Sequence, residues 1–509
     1  MIMTMNNIYK LMVKAVALTV AAMTLSSCLE KYPGDYILEE ESLKSFEEAE
    51  QHLTGIYTSL MSGSLYGGLL TILPDIQCDL VYAVNGNSNN FVPLWQWNIR
   101  STDSEIESIY AGLYVVIGRC NFYLDQVEEL KKTLVDDVEL EYIDYYTGEV
   151  YCARALAYSE LVRLYCKAYD ETIADEPESG VVLKTSYFTD QPAKRATLRE
   201  SYQLILDDLA KAEELLDEDN DSYNAAYFTN AAAHAIHARV ALYMQDWDSA
   251  IEESTRLIES DSFALSSVNS ASPASGMSMF DYMWNYDSGY EIIWRLGYTS
   301  TSYGYSTGQS FLTFNNDYTY YYPDFVPSES VLNLYASADY RSKAYFATLQ
   351  TGYSHGLAYP LLVKYYGNQD LIALNIYHVN MPKPLRLAEQ YLIRAEAYCR
   401  KASPNYGAAS SDLSTLRSNR FMTGGSISVN ESNWQTTISE ERVRELYMEG
   451  FRLHDLKRWN MGFERKPQNQ SLSEGSSLKI EKGDPLFVWP IPRHEIEAPG
   501  SEIKPNESN

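Results

Sequence analysis

The pentapeptide Arg-Ala-x-Ala-Tyr occurs at residues 154–158 and again at 394–398, with a close variant in Ala238-Arg239-Val240-Ala241-Leu242-Tyr243. Small residues set between bulky ones let two antiparallel helices approach closely. After the variant the chain reads Met244-Gln245-Asp246-Trp247-Asp248-Ser249-Ala250, where Asp-Trp-Asp-Ser turns the chain and caps the next helix. Repetition of such a unit predicts helical hairpins stacked side by side. The copies are unevenly spaced, so the expected body is a helical scaffold carrying large grafted loops and not a uniform solenoid.

Apolar residues three and four apart predict helices over 42–61, 104–133, 140–169, 197–216, 229–260, 385–400, 408–420 and 438–459. Strand signals are sparse, chiefly Glu291–Leu296 and Leu486–Trp489. The expected fold class is mainly α, with tetratricopeptide-like helical pairs and a large irregular loop region on one side. Its parts are a helical region 28–260 with an inserted loop at 62–103, an aromatic-rich insertion at 261–384, and a C-terminal helical region 385–509 packed with the first as one body.

Residues 1–27 read as a processing segment. Lys10 and Lys14 precede a short apolar run from Ala15 to Leu25, too short for a permanent bilayer span. Leu25-Ser26-Ser27-Cys28 then resembles the lipobox of bacterial lipoproteins, which implies cleavage before Cys28 and its acylation. The other cysteines are Cys78, Cys120, Cys152, Cys166 and Cys399, an odd set that cannot be a full disulfide framework. Against 40 Lys+Arg stand 69 Asp+Glu, a net charge of −29 that argues against nucleic acid as a partner. An acidic body is consistent with attachment to a membrane by lipid and not by basic residues.

Tyrosine is in excess, 43 residues against 15 phenylalanines. Ten tyrosines fall within the 43 residues from Phe280 to Tyr322, among Trp284, Trp294, Phe311 and Phe314. Others, such as Tyr158, Tyr243 and Tyr398, recur in the helical repeats. A second aromatic loop runs from Asn85-Gly86-Asn87-Ser88-Asn89-Asn90 into Phe91, Trp95 and Trp97.

Residues 441–459 read Glu-Arg-Val-Arg-Glu-Leu-Tyr-Met-Glu-Gly-Phe-Arg-Leu-His-Asp-Leu-Lys-Arg-Trp. This segment closely resembles the E-R-x-x-E-L-x-x-E-G-x-R-x-x-D-L-x-R-W pattern of the SusD/RagB family of outer-membrane lipoproteins. Arg119-Cys120-Asn121, the 154–158 pentapeptide, Pro490-Ile491-Pro492 and Glu495-Ile496 match as well. The resemblance implies about eight helices in four tetratricopeptide-like pairs. It also implies a non-catalytic lipoprotein facing outside, which captures glycans or peptides as the lid of a SusC-like TonB-dependent transporter. Glu497-Ala498-Pro499-Gly500 departs from the family pattern, so the tail is expected to dock differently. Glu441, Glu445 and Glu449 lie four apart among Arg442, Arg444 and Arg452, which predicts a helix laced with ion pairs and a folding role.

The aromatic loops are the candidate binding regions. Sugars present C–H faces rimmed by hydroxyls, so a binder needs ring platforms with amides or carboxylates at their edges. The candidate residues are Asn87, Asn90, Trp95, Trp97, Trp284, Tyr303, Tyr305 and Tyr320. The same rings would also serve loop packing or a transporter interface. Glycan is favoured over peptide; a tetratricopeptide scaffold for outer-membrane assembly is the other reading. Gly304-Tyr305-Ser306-Thr307-Gly308 fits G-x-S-x-G but lacks the alternating α/β frame of a hydrolase. His234 and His237 lie three apart on a helix without a third ligand nearby in sequence, which favours packing over metal binding. Asp217, Asp219 and Asp221 imitate a calcium loop that fails at Ser222 and Phe228. No H-E-x-x-H, Walker-A or dinucleotide fingerprint occurs, so neither metal nor cofactor is expected.

Overall fold

The computed structural model describes residues 43–187, 192–314, 319–353, 356–466 and 478–509; the 1–27 segment, Cys28 and Tyr318 lie outside the described residues. Residues 45–509 form one compact unit. Its scaffold is a run of helices: α1 (Phe46–Leu60), α2 (Ser104–Lys131), α3 (Asp137–Tyr165), α4 (Leu198–Leu215), α5 (Asn230–Met244), α6 (Trp247–Ile258), α7 (Leu387–Arg400) and α8 (Tyr406–Ser418). Each packs on the next in chain order, which is the stacked-hairpin arrangement the repeats predict.

The motif arginine staples these hairpins. Arg154 on α3 grips Asp208 on α4 with two hydrogen bonds of 2.8 and 2.6 Å. Arg394 on α7 does the same to Asp412 on α8, at 2.9 and 2.7 Å. In the variant copy Arg239 turns instead to Glu389 of the following hairpin, at 2.7 and 2.6 Å. A planar guanidinium matches a carboxylate with two parallel bonds, so each staple fixes orientation as well as distance. The motif alanines 155, 157, 395 and 397 are fully buried, so the backbones can come close. Between α5 and α6 the turn is made by Gln245 in the left-handed region (φ 63°) and by Asp246, whose side chain accepts from the Ser249 amide.

Two expectations need correction. The span 438–459 is not one helix but α9 (Trp434–Leu446) and α10 (Arg452–Arg458). Met448 (φ 58°) and Gly450 (φ 83°) break it, and the buried Asp75 carboxylate accepts from the amides of Gly450 and Arg452 at 3.0 and 2.8 Å. A Cβ on Gly450 would lie 2.9 Å from the Leu70 carbonyl oxygen, so glycine is needed there. Leu486–Trp489 is not a strand either. Asp484 caps a 3-10 turn over Pro485–Phe487, and Trp489 is fully buried with its amide bonded to Leu164.

The glutamates of the C-terminal segment are paired mostly across the fold and not along their helix. Glu445 is held by Arg341, Arg386 and Arg420, each at 3.0 Å, and all four side chains are buried. Glu291 shares Arg386 and Arg420, and Glu449 binds Arg386 and Lys364. Of Arg442, Arg444 and Arg452, Arg444 alone pairs within its helix, with Glu440 and Glu441; Arg442 reaches Asp455 and Arg452 reaches Asp79. These pairs pin the 261–384 insertion to α9. Two short antiparallel ladders complete the attachment, β1 (Val81–Ala83) with β3 (Phe325–Pro327) and β2 (Ile292–Trp294) with β6 (Leu385–Arg386); β4 (Phe346–Gln350) with β5 (Ala358–Leu362) lies within the insertion, and β7 (Phe463–Arg465) with β8 (Leu478–Ile480) within the C-terminal region. Cys78, Cys120, Cys152, Cys166 and Cys399 are free and buried. The tail docks through Asn506, whose amide donates to the carbonyls of Tyr165 and Trp489.

Candidate functional site

The β1–β3 register decides which loops meet. Ala83 faces Phe325, so the Val84 amide donates to the Asp324 carbonyl at 2.8 Å, and the asparagine loop 85–90 leaves the strand beside Asp324. The Asp324 carboxylate then accepts from the Ser88 amide and hydroxyl, both at 2.7 Å, and from Asn90 at 3.5 Å. Asn87 folds back on the loop, donating to Val84 and accepting from the Asn89 amide. A charged, mostly buried carboxylate therefore holds an exposed polar loop in one shape.

Phenols gather around it. A bridge between Tyr321 and Thr351 brings the β4–β5 turn alongside, and the Tyr322 and Tyr353 rings meet edge to face at 5.3 Å. Gly352 makes room: a Cβ there would lie 1.9 Å from Tyr322 Cζ. The Tyr353 phenol is pushed up to about 12 by burial and then by the Asp324 charge. Tyr305 is raised by burial and then by the same Asp324 charge. Its backbone is fixed by the Gly67 carbonyl at 2.8 Å. Tyr303 is 43% and Tyr322 37% exposed. Tyr320 stands over Gly356. Both phenols, raised by burial and then by Asp324, keep their protons at neutral pH; Tyr353 donates its own to the Pro323 carbonyl at 3.2 Å, so the rim offers the Tyr305 hydroxyl, amides and ring faces together.

The tryptophans expected as platforms are elsewhere. Trp95, Trp97 and Trp284 are 4%, 7% and 5% exposed and present no open face. Trp95 donates to the Val81 carbonyl and lies under Arg465; Trp97 donates to Asp484 between Phe463 and Phe487. Trp284 is surrounded by Lys364, Lys383 and Arg386, at 4.3, 4.9 and 5.3 Å from its ring. Trp95 and Trp284 stand on short helices, Val92–Trp95 and Met279–Asn285, and not on open loops, and all three rings point inward because each meets core polar or cationic groups. Of the eight candidate residues, Asn90 bonds Asp324, Asn87 lies in the loop that Asp324 holds, and the Asp324 charge acts on Tyr305. Sequence reasoning missed Asp324, Ser88, Tyr322 and Tyr353 as a group; only the pairing of β1 with β3, far apart in the chain, assembles them. Ser306 lies in an extended loop without a preceding strand, so the G-x-S-x-G residues do not form a nucleophile elbow. Asp217 and Asp219 belong to an exposed 3-10 turn, and Asp221 accepts from the Ala231 amide.

Comparison with known proteins places this architecture. Residues 38–242 match a SusD-like family described as starch-binding and associating with the outer membrane, and residues 358–500 match the SusD family. Together these cover more than half of the chain. The chain belongs to the SusD/RagB family. SusD/RagB proteins bind and do not catalyse, and they associate with the outer membrane. A SusD-like protein P2 of Formosa agariphila is 26% identical over 483 residues, covering 87% of this chain and 90% of the relative. Among solved structures, a SusD superfamily protein of Bacteroides thetaiotaomicron superposes with a TM-score of 0.76 at 22% identity, covering 91% of this chain and 99% of the other. A SusD-like carbohydrate binding protein of Bacteroides vulgatus gives 0.70 at 19% identity, covering 91% and 97%. At such identities the superpositions establish the SusD fold alone.

Proposed function

We propose that this SusD-like protein is a non-catalytic receptor that captures oligo- or polysaccharides at the outer membrane and delivers them to a SusC-like TonB-dependent transporter. The observation that carries the reading is the rim around Asp324. There Asn87 and Asn90 supply amides, while Tyr305, Tyr322 and Tyr353 supply rings and hydroxyls, the combination a sugar's apolar face and polar edge require. Tyr303 and Tyr320 extend it. A starch-binding family description and a carbohydrate-binding relative of the same fold support glycan over peptide. Anchoring through acylated Cys28 would hold the receptor at the membrane, facing outside, beside its transporter. Calorimetry of the full chain against a panel of neutral oligosaccharides and peptides tests this. The expected result is saturable binding of at least one glycan, weakened about tenfold or more by Tyr305→Ala or Tyr322→Ala, with an unchanged far-UV dichroism spectrum. Binding confined to peptides, or glycan binding indifferent to both substitutions, contradicts it.

A further inference from the structure

The repeats bring together a second constellation, far from the aromatic rim in sequence and made of different chemistry. His234 and His237 sit three apart on α5, so their rings share one face. The third ligand absent from their neighbourhood in sequence comes from flanking helices: Glu213 from α4 and Glu253 from α6. His234 Nδ1 lies 2.5 Å from Glu253 Oε2 and 3.5 Å from Glu213 Oε1. His237 Nδ1 lies 2.8 Å from Glu213 Oε1 and 3.7 Å from Glu253 Oε1. Two imidazole nitrogens and two carboxylates thus converge, each nitrogen within reach of both acids.

We propose that Glu213, His234, His237 and Glu253 form a closed four-ligand site for a divalent transition metal of the zinc class, bracing three consecutive scaffold helices. Metal–ligand bonds of about 2.0–2.2 Å in a tetrahedron put ligand atoms about 3.4 Å apart. The four nitrogen–oxygen spacings, 2.5 to 3.7 Å, straddle that value. Glu213, His234 and Glu253 already offer ligand atoms within 4.8 Å of one another, and a side-chain adjustment that turns His237 toward the same point closes the shell. Two carboxylates and two neutral imidazoles neutralise a dication, and nitrogen–oxygen donors select zinc over calcium, which takes six or more oxygens. Four protein ligands leave no open position, so the role is structural. His234 borders a surface cleft also lined by Asp221, Thr255 and Arg256, which supplies an entry path. Arg256 Nε, 3.9 Å from Glu253, is half-exposed and can swing toward solvent when a cation binds. The staple would act where the motif arginine Arg239 is diverted to Glu389 and leaves the α5–α6 hairpin without its own arginine clamp.

The test uses the full chain stripped with chelator and titrated with zinc chloride alone. The expected result is one zinc per chain, a rise in Tm of a few degrees at saturation, and affinity lowered about 100-fold or more in His234→Gln and in His237→Gln. Cobalt substitution reads the parent protein directly, whether or not a variant folds. The strong visible absorption of a tetrahedral nitrogen–oxygen site supports the assignment. A thiolate charge-transfer band, the weak spectrum of octahedral cobalt, or zinc binding unchanged by both substitutions overturns it.

Discussion

Trp284 and Tyr322 lie in the same aromatic-rich insertion and have opposite fates. Trp284 sits among three cations whose charges its ring face attracts, so its removal strips a large buried side chain and uncovers Lys364, Lys383 and Arg386. Trp284→Ala should cost about 3–5 kcal/mol in urea unfolding, as expected for a buried aromatic truncated to alanine. Tyr322→Ala, on an exposed ring, should leave the midpoint nearly in place. Equal losses in the two variants would mean that the rim is as structural as the core. The sequence made the insertion's aromatic character plain but not the direction of each ring. Trp284 and Trp97 look alike in sequence to Tyr303 and Tyr305, and only partners distant in the chain, such as Lys364 and Asp484, turn them inward.

Among the elements, the hairpins were the most legible because the Arg-Ala-x-Ala-Tyr copies carry both the close-packing alanines and the stapling arginine. The partner of that arginine was not legible, since Asp208, Asp412 and Glu389 share no common spacing from it. Arg154→Ala leaves Asp208 buried and unpaired and should destabilise by about 3–5 kcal/mol, whereas Arg154→Met with Asp208→Leu should recover much of the loss. A double variant as unstable as the single one would refute the staple. The broken C-terminal helix was hidden for a related reason: its periodicity runs through Tyr447–Phe451, and the break is held by Asp75 from the helix Leu69–Ile76, far off in the chain. The same segment sets the acid response. Burial alone would raise Glu441, but the charges of Arg341, Arg444 and Arg417 outweigh it and hold the carboxyl at about 2. Its ordinary value is 4.5, so its stabilisation is complete above that pH and is lost as pH falls toward 2. Glu396, likewise held at about 2 against burial by Arg458 and Arg400, acts in the same window. Glu441→Gln should therefore lie about 3 kcal/mol below the parent at pH 7, with the gap closing between pH 4.5 and 2. A gap independent of pH would show that the pairing contributes through shape and not charge.

At the scale of the whole molecule, a stack of helical hairpins carries an insertion whose outer loops expose Tyr303 and Tyr322 while its base is locked by buried Arg–Glu pairs. That division explains why the family and fold could be read from residues 441–459 and the repeats, while the site could not. The signature encodes the lock; the rim depends on the β1–β3 register and on Asp324, which no local pattern announces. It also gives the tyrosine excess two causes, with Tyr158 and Tyr243 buried in the scaffold and Tyr303 and Tyr322 exposed on the insertion. The central claim is that this rim receives the glycan. The most direct measurement is a crystal structure of the protein with an oligosaccharide identified by the binding panel. The account predicts a sugar ring stacked on Tyr305 or Tyr322 with its hydroxyls hydrogen-bonded to Asn87 or Asn90; a sugar bound elsewhere, for instance on the Phe314, Tyr321 and Tyr377 rings, would contradict it.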